Sequence, residues 1–429
     1  MKRLLHSFII VVITVGITMI VNLFMSMWIF HIAFPEQSAL SDFEFEDFAF
    51  SIKKTNNQRD ENIVLVNIGQ LGRAGIAQQI NILDRYKPKV IGVGVIFNCE
   101  GFYDTLNCPQ LLDTLSNSLL HEAIRNSGRV VLISRILSIG VDGLVDSVEI
   151  SDPIFSDFSQ NGFGNLVTSS KNQDDIKSSR SFNPILKLHD KEVHAFAVEL
   201  SRLADSAKTN RFLKRGNVEE IINYKGNISV KGAPFKSESE YFETLEYDDV
   251  LHERFDTTVI TDRVVILGYF GDYLLDNRSE DMFYSPLNRV VLGKSLPDMY
   301  GMVVHANIVS MILREDYINR ISAFNAWVLS ILIVFFNALF FVWLHKRNTI
   351  WYEAFTLLIP ALQIIMIAYF RHILFQRFNY VLDLSAATVL LVSVSLSAGL
   401  YFGPLQLVIK KIFPAHQHFK LGNGAKNGW

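Results

Sequence analysis

The sequence predicts a mixed α/β domain with a mainly parallel central sheet, carried by four transmembrane helices, one before it and three after it. Three observations predict this architecture. A long charge-free segment lies near the N-terminus, three apolar runs lie near the C-terminus, and between them aliphatic runs alternate with segments of helical period. The bulk composition agrees: of 429 residues, 49% are hydrophobic and 19% charged. That is too oily for a soluble two-domain protein and too charged for a pure membrane bundle.

Residues 7–34 contain no Asp, Glu, Lys or Arg, and at ~1.5 Å per helical residue they outreach the ~30 Å hydrocarbon core. A cleavable signal peptide has an apolar stretch of only ~7–15 residues, so residues 1–34 read as a retained anchor. Apolar runs at 323–344, 351–370 and 381–402 place three further spans within residues 323–402. Lys2 and Arg3, the His345-Lys346-Arg347 cluster, and Lys410-Lys411 then share one face, which the positive-inside rule makes cytoplasmic. Arg371, His372 and Arg377 fall on the opposite face as a minority. Residues 35–322 become one extracytoplasmic domain, and 403–429 a short cytoplasmic tail with no room for a catalytic output domain. Asn325, Asn337 and Gln363 are expected to face other helices, because hydrogen-bonding groups are unfavourable toward lipid. Asp383, at the outer edge of the last span, reaches water.

Within the large domain, Ile63-Val64-Leu65-Val66 has the aliphatic continuity of a strand buried on both faces. Ile76, Ile80 and Leu83 follow at helical spacing between Arg73 and Tyr86. Pro88 stops that helix ahead of a second strand over 90–97, completing a βαβ unit. A second helix over 111–126, with Leu112, Leu115, Leu119 and Ile124 as its apolar stripe, leads past Gly128 into Val130-Val131-Leu132-Ile133. That third strand is expected to be parallel to the first two. Residues 192–203 read as a helix, 221–224 as a short strand, 264–268 as a further buried strand and 301–313 as a helix. The stretch 147–181 is polar and reads as a surface excursion with little regular structure. Phe43, Phe45, Phe48 and Phe50 form an aromatic segment that either packs the domain on its own base or meets a partner or lipid.

Cys99 and Cys108 are the two cysteines. In an oxidising envelope a nearby pair forms a disulfide, here a local clip; free thiols are the alternative. Ligands gather beyond the carboxyl ends of parallel strands, an edge that would carry Asn67, Gln70, Arg73, Asn98, Arg135, Gly271, Asp272 and Asp276. Arg73 opens a helix and could hold a carboxylate or phosphate bidentately, or form a structural ion pair with Asp272 or Asp281. His305 reads either as a group titrating near neutral pH or as a satisfied core histidine.

Several function classes are excluded from the expectation. Net charge is -3 and no basic stripe is present, which argues against nucleic acid. No nucleophile with a base, no metal-ligand spacing and no phosphate loop appears. His416 and His418 lack a third ligand. No enzyme activity, cofactor or metal is therefore expected. The expected partners are membrane lipid and another protein, with a homo-oligomer left open.

The segments Ile63 to Gly69 with Arg73 and Ala77, Lys87 to Phe97, Val264 to Gly268, Asp281 with Ser285-Pro286, and Pro297 to Gly301 with His305-Ala306-Asn307 resemble, in order and spacing, the CHASE2 family. The resemblance implies an extracytoplasmic sensory domain preceded by one span and followed by three, in a bacterial cytoplasmic (inner) membrane. Asn67 and Gly94 stand where that family often carries acidic residues. The family's domains usually precede a cytoplasmic output domain, which is not expected here. The implied role is relaying an external cue to or through a separate protein; the alternative is a structural docking subunit of an envelope complex.

Overall fold

The computed structural model describes residues 2–25, 47, 50, 59–99, 112–139, 144–168, 178–188, 191–228, 240–271, 282–288, 297–347 and 349–408. The chain divides into two compact units, one of Met1–Gln37 with Asn319–Trp429 and one of Ser38–Ile318.

The second unit is built on a mostly parallel sheet. Strands β1 (Ile63–Asn67), β2 (Val90–Val93), β3 (Val130–Ile139), β4 (Val145–Glu149), β5 (Gln160–Phe163), β6 (Glu243–Leu245) and β7 (Val264–Gly268) run in the order β6-β1-β7-β2-β3-β4, with β5 also on β3. All pairs are parallel except β3 with β4. Every residue of β1, β2 and β7 is buried, because helices cover both faces of a parallel sheet and reward continuous Val and Ile.

Helix α2 (Arg73–Arg85) joins β1 to β2, and α3 (Thr114–Ser127) joins β2 to β3. The Asp113 carboxylate accepts from the Ser116 N–H at 3.0 Å and caps α3. Gly128 closes it in a left-handed conformation, φ 61°. The buried stripe of α3 is Leu120, Ala123, Ile124 and Ser127. Leu112, Leu115 and Leu119 are instead exposed, at 69%, 71% and 40%, so the expected apolar face is corrected except at Ile124. Small residues on the true face let α3 lie closely against α2. Each fully buried Ile or Leu in this layer contributes roughly 1.5–3 kcal/mol.

Other expectations are also corrected. The helix expected over 192–203 begins only with α4 (Phe196–Ala204); Lys191–His194 pairs antiparallel with Ile185–Leu188, and that pairing overrides local helix propensity. The polar excursion at 147–181 supplies the end of β4, all of β5 and the buried Phe155 and Phe163. β2 stops at Val93 rather than Phe97, and the strand expected over 221–224 is only Glu220–Ile221. Helix α5 (Ser206–Leu213) follows α4, and α6 (Gly301–Arg314) is almost wholly buried. Phe50 is buried and packs edge-on to Tyr224, 6.2 Å between ring centroids; Phe43, Phe45 and Phe48 lie outside the described residues.

In the first unit, α1 (Lys2–Met25), α7 (Ala323–Arg347), α8 (Thr349–Phe378) and α9 (Ser385–Leu400) are long apolar helices. All four regions are long and apolar enough to cross a membrane, the last reaching Val408. α1, α7 and α9 share a core of Ile10, Val334, Ala338, Phe341, Leu390 and Val394. Asn337 is buried and donates to the Ile333 carbonyl at 2.8 Å. Gln363 is half-buried and Asn325 exposed, so the inward-facing expectation holds fully only for Asn337. Asn325 lies in the first turn of its helix. Asp383 Oδ1 accepts from the Ser385 N–H at 3.1 Å at the start of α9.

Candidate functional site

The carboxyl ends of β1 and β7 meet the loop after β6, and Asn67 ties the three together. Its Oδ1 accepts from the N–H of Gly69 and of Phe270, both at 3.1 Å. Its Nδ2 donates to Glu246 Oε2 at 2.9 Å and to the Gly271 carbonyl at 3.1 Å. An amide side chain has four such capacities, and all are used. Asn67 is therefore a clamp, and binding a ligand would cost it a hydrogen bond that holds a loop. An amide rather than a carboxylate suits the position, because Glu246 lies opposite and a second carboxylate there would be repelled.

The neighbouring strand ends are filled. A Cβ on Gly94 would lie 2.4 Å from Met302 Sδ, and one on Gly268 would lie 2.5 Å from Met302 Cγ. Met302 of α6 thus occupies the space over β2 and β7 that parallel-sheet proteins often give to a ligand.

Arg73 sits apart, at the first turn of α2. It is half-buried, Nη1 donates to Asn117 Oδ1 at 2.6 Å, and its Cζ lies 5.4 Å from the Phe155 ring centroid. Desolvation lowers its pKa, while the charges of Asp152 and Asp113 act in the opposite sense. Burial in turn raises the Asp152 carboxyl, against the pull of Arg73. A cation flanked by two carboxylates and an amide, partly withdrawn from water, is the one member of the expected set whose guanidinium fork is not consumed by a bidentate partner among the described residues. An anionic group could bind by competing with Asp152.

Asn98 and Arg135 come together elsewhere, on a residue the sequence did not single out. Glu149 receives Asn98 Nδ2 on Oε1 at 2.9 Å and Arg135 Nε on Oε2 at 2.7 Å. Its side chain is 11% exposed against 55% for Arg135. Both groups are thereby committed to pinning the β3–β4 end, with β7 and β2 between it and the strand of Asn67. Gln70 is exposed. Asp272, Asp276, Asp281 and Cys108, with His416 and His418, lie outside the described residues; Cys99 is buried.

His305 resolves toward the core role. It is 2% exposed, its Nε2 lies 3.2 Å from the Gly164 carbonyl, and Phe196 packs edge-on at 5.5 Å. Burial pushes its pKa down to about 4, which removes titration near neutral pH. Among the described residues no cluster of three or more His, Cys, Asp or Glu could hold a metal ion.

A second buried network escaped the sequence reading. Asp60, whose side chain is fully buried, accepts from the Asn62 N–H at 2.8 Å on Oδ1, and on Oδ2 from Ser310 Oγ at 2.5 Å, Arg314 Nε at 3.0 Å and the Tyr241 hydroxyl at 3.5 Å. It joins the residues just before β1 to the last turn of α6, and nothing local in the sequence marks it.

The CHASE2 domain family model matches residues 25–345. No curated protein and no solved structure matches the chain.

Proposed function

The chain belongs to the CHASE2 domain family, and from that membership we propose that it is a sensory protein of the bacterial cytoplasmic membrane. In this reading residues 35–322 lie outside, both termini lie in the cytoplasm, and the role is sensory rather than catalytic. The domain registers an external cue, and the helices carry it to a separate protein partner. The observation that carries the reading is the conjunction of a sensory-family domain with four helices of membrane-crossing length, one before the domain and three after it. Lys2, Arg3, Lys346 and Arg347 support the orientation. Coupling requires two arrangements of the helices that the domain biases by different amounts. Arg73 is the group we assign to an anionic cue, since Asn67, Asn98 and Arg135 are held by the protein itself.

A phosphatase reporter, active only outside the cytoplasm, is expected to be active when fused near residue 200. A reporter active there only in the cytosol would refute the reading. Gentle purification is expected to bring down a signalling protein; a stoichiometric envelope assembly whose composition ignores Arg73→Gln would instead favour a docking subunit. We also propose that Cys99 and Cys108 pair in the oxidising envelope. Mass spectrometry of non-reduced peptides should show them linked, and free thiols at both positions would end that assignment.

A further inference from the structure

Asp298 immediately precedes the two-residue strand Met299–Tyr300, which runs directly into α6. One short turn closes around its carboxylate. Ser285 donates its N–H to Oδ1 at 2.7 Å and its hydroxyl to Oδ2 at 2.6 Å, and the Asn288 side chain adds another hydrogen bond. The turn is itself tied, with the Leu287 N–H on Ser285 Oγ at 3.2 Å and the Asn288 N–H on the Ser285 carbonyl at 3.0 Å. On the main chain, the Asp298 N–H donates to the Phe283 carbonyl at 3.0 Å, and Asn227 Nδ2 donates to the Asp298 carbonyl at 2.6 Å. The residue as a whole is half-buried, yet its carboxylate is enclosed.

The described charged groups on neighbouring segments pair elsewhere. Arg180 grips Asp47 through two hydrogen bonds of 2.8 and 2.7 Å, and Lys225 pairs with Asp316 at 2.5 Å. Tyr224 donates its hydroxyl to the Ser179 carbonyl at 2.9 Å, and burial raises its pKa further. On α6 itself, His305 faces Gly164 and Arg314 faces Asp60. Among the described residues, no cation forms an ion pair with Asp298. The contacts these residues make with the buried carboxylate are hydrogen bonds.

We propose that Asp298 is a proton-responsive latch, in which the Ser285–Asn288 turn grips the head of α6 by hydrogen bonds to an enclosed carboxylate that has no counter-cation among the described residues, and protonation of that carboxylate resets the grip. A protonated carboxyl carries a donor, so the Ser285 hydroxyl must turn from donor to acceptor. Burial pushes the Asp298 carboxyl up to about 6. The folded domain therefore binds this proton more tightly than the unfolded chain, whose aspartates titrate near 3.9. Stability from this group rises as pH falls from about 7 toward 5, opposite to an ordinary paired carboxylate. The latch deepens the sensory reading for its biological use, while its chemistry is independent of that reading.

The test compares the full-length protein in detergent with Asp298→Asn between pH 5 and 8, by thermal unfolding and by hydrogen–deuterium exchange of peptides covering 282–288 and 298–305. In the wild type, exchange over 282–288 is expected to step with a midpoint near pH 6 while the melting temperature rises on acidification. Asp298→Asn should flatten both. If that variant does not fold, Ser285→Ala keeps the carboxyl and the backbone N–H donor and, by removing the hydroxyl donor to the charged form, should move the midpoint upward. Exchange that ignores pH in the wild type, or an unchanged step in Asp298→Asn, overturns the latch. A cytosolic reporter at residue 200 would overturn the sensory reading and leave this result standing.

Discussion

Asp60→Ala is expected to lower the stability of the large domain by about 3–5 kcal/mol, the scale on which removing one partner breaks a buried charge network. The carboxylate is fully buried and gathers four donors. Its loss leaves Ser310 Oγ, itself at 0% exposure, and the Asn62 N–H without acceptors, and each orphaned buried group costs about 1–3 kcal/mol. Arg314 softens the effect, because its side chain is 39% exposed and regains water once released. In a domain of this size the change corresponds to a fall in melting temperature on the order of 10 °C. Arg59→Ala is the control: Arg59 bonds Glu240 and Glu243 from a side chain 51% exposed, and such surface pairs contribute about 0–1 kcal/mol. Equal shifts for the two variants would show that Asp60 does no more than a surface carboxylate.

The same network marks a limit of sequence reading. Asp60 and Arg314 are 254 positions apart, and neither stands in a pattern that local periodicity could register. What was legible came from continuous aliphatic runs. β1, β2 and β7 announce themselves because a strand buried on both faces must be apolar at every position. β6, Glu-Thr-Leu, and β5, Gln-Asn-Gly-Phe, flank that core and need no such run. Helix α3 misled in a more specific way: its exposed Leu115 and Leu119, with Leu112 just ahead of it, repeat at helical spacing, while the face that packs on α2 includes Ala123 and Ser127, small residues that carry little hydrophobic weight but permit close approach. At the candidate site, the company of two residues was not legible. Asn98 and Arg135 were placed with Asn67 on one edge, yet both belong to Glu149, because the antiparallel turn from β3 into β4 carries that glutamate back alongside them.

Gly162→Ala is expected to be the most damaging conservative substitution in β5. A Cβ built there would lie 2.6 Å from Phe196 Cα, 2.9 Å from Phe196 N and 3.2 Å from the Ala195 carbonyl carbon. These are backbone atoms of the first turn of α4, so no rotamer can move aside. Gly92 of β2 differs, since its nearest neighbours are the side-chain ends of Leu200 and Phe196, which can give by small rotations. One added methyl at Gly162 must therefore push α4 off the sheet as a unit, exposing Phe196, Ala197 and Leu200, all at 0% exposure. Overpacking that only strains side chains costs about 1–3 kcal/mol, and displacement of a backbone places this variant at or above the upper end. Gly128→Ala supplies the comparison: open space surrounds it, and only its φ of +61° opposes a side chain, at a cost of about 1–2 kcal/mol. Thermal unfolding of both variants, with hydrogen exchange over 196–204, separates the two causes. Protection of α4 should fall in Gly162→Ala and persist in Gly128→Ala; if α4 stays protected in both, the close seat of α4 on β5 is not what holds it to the sheet.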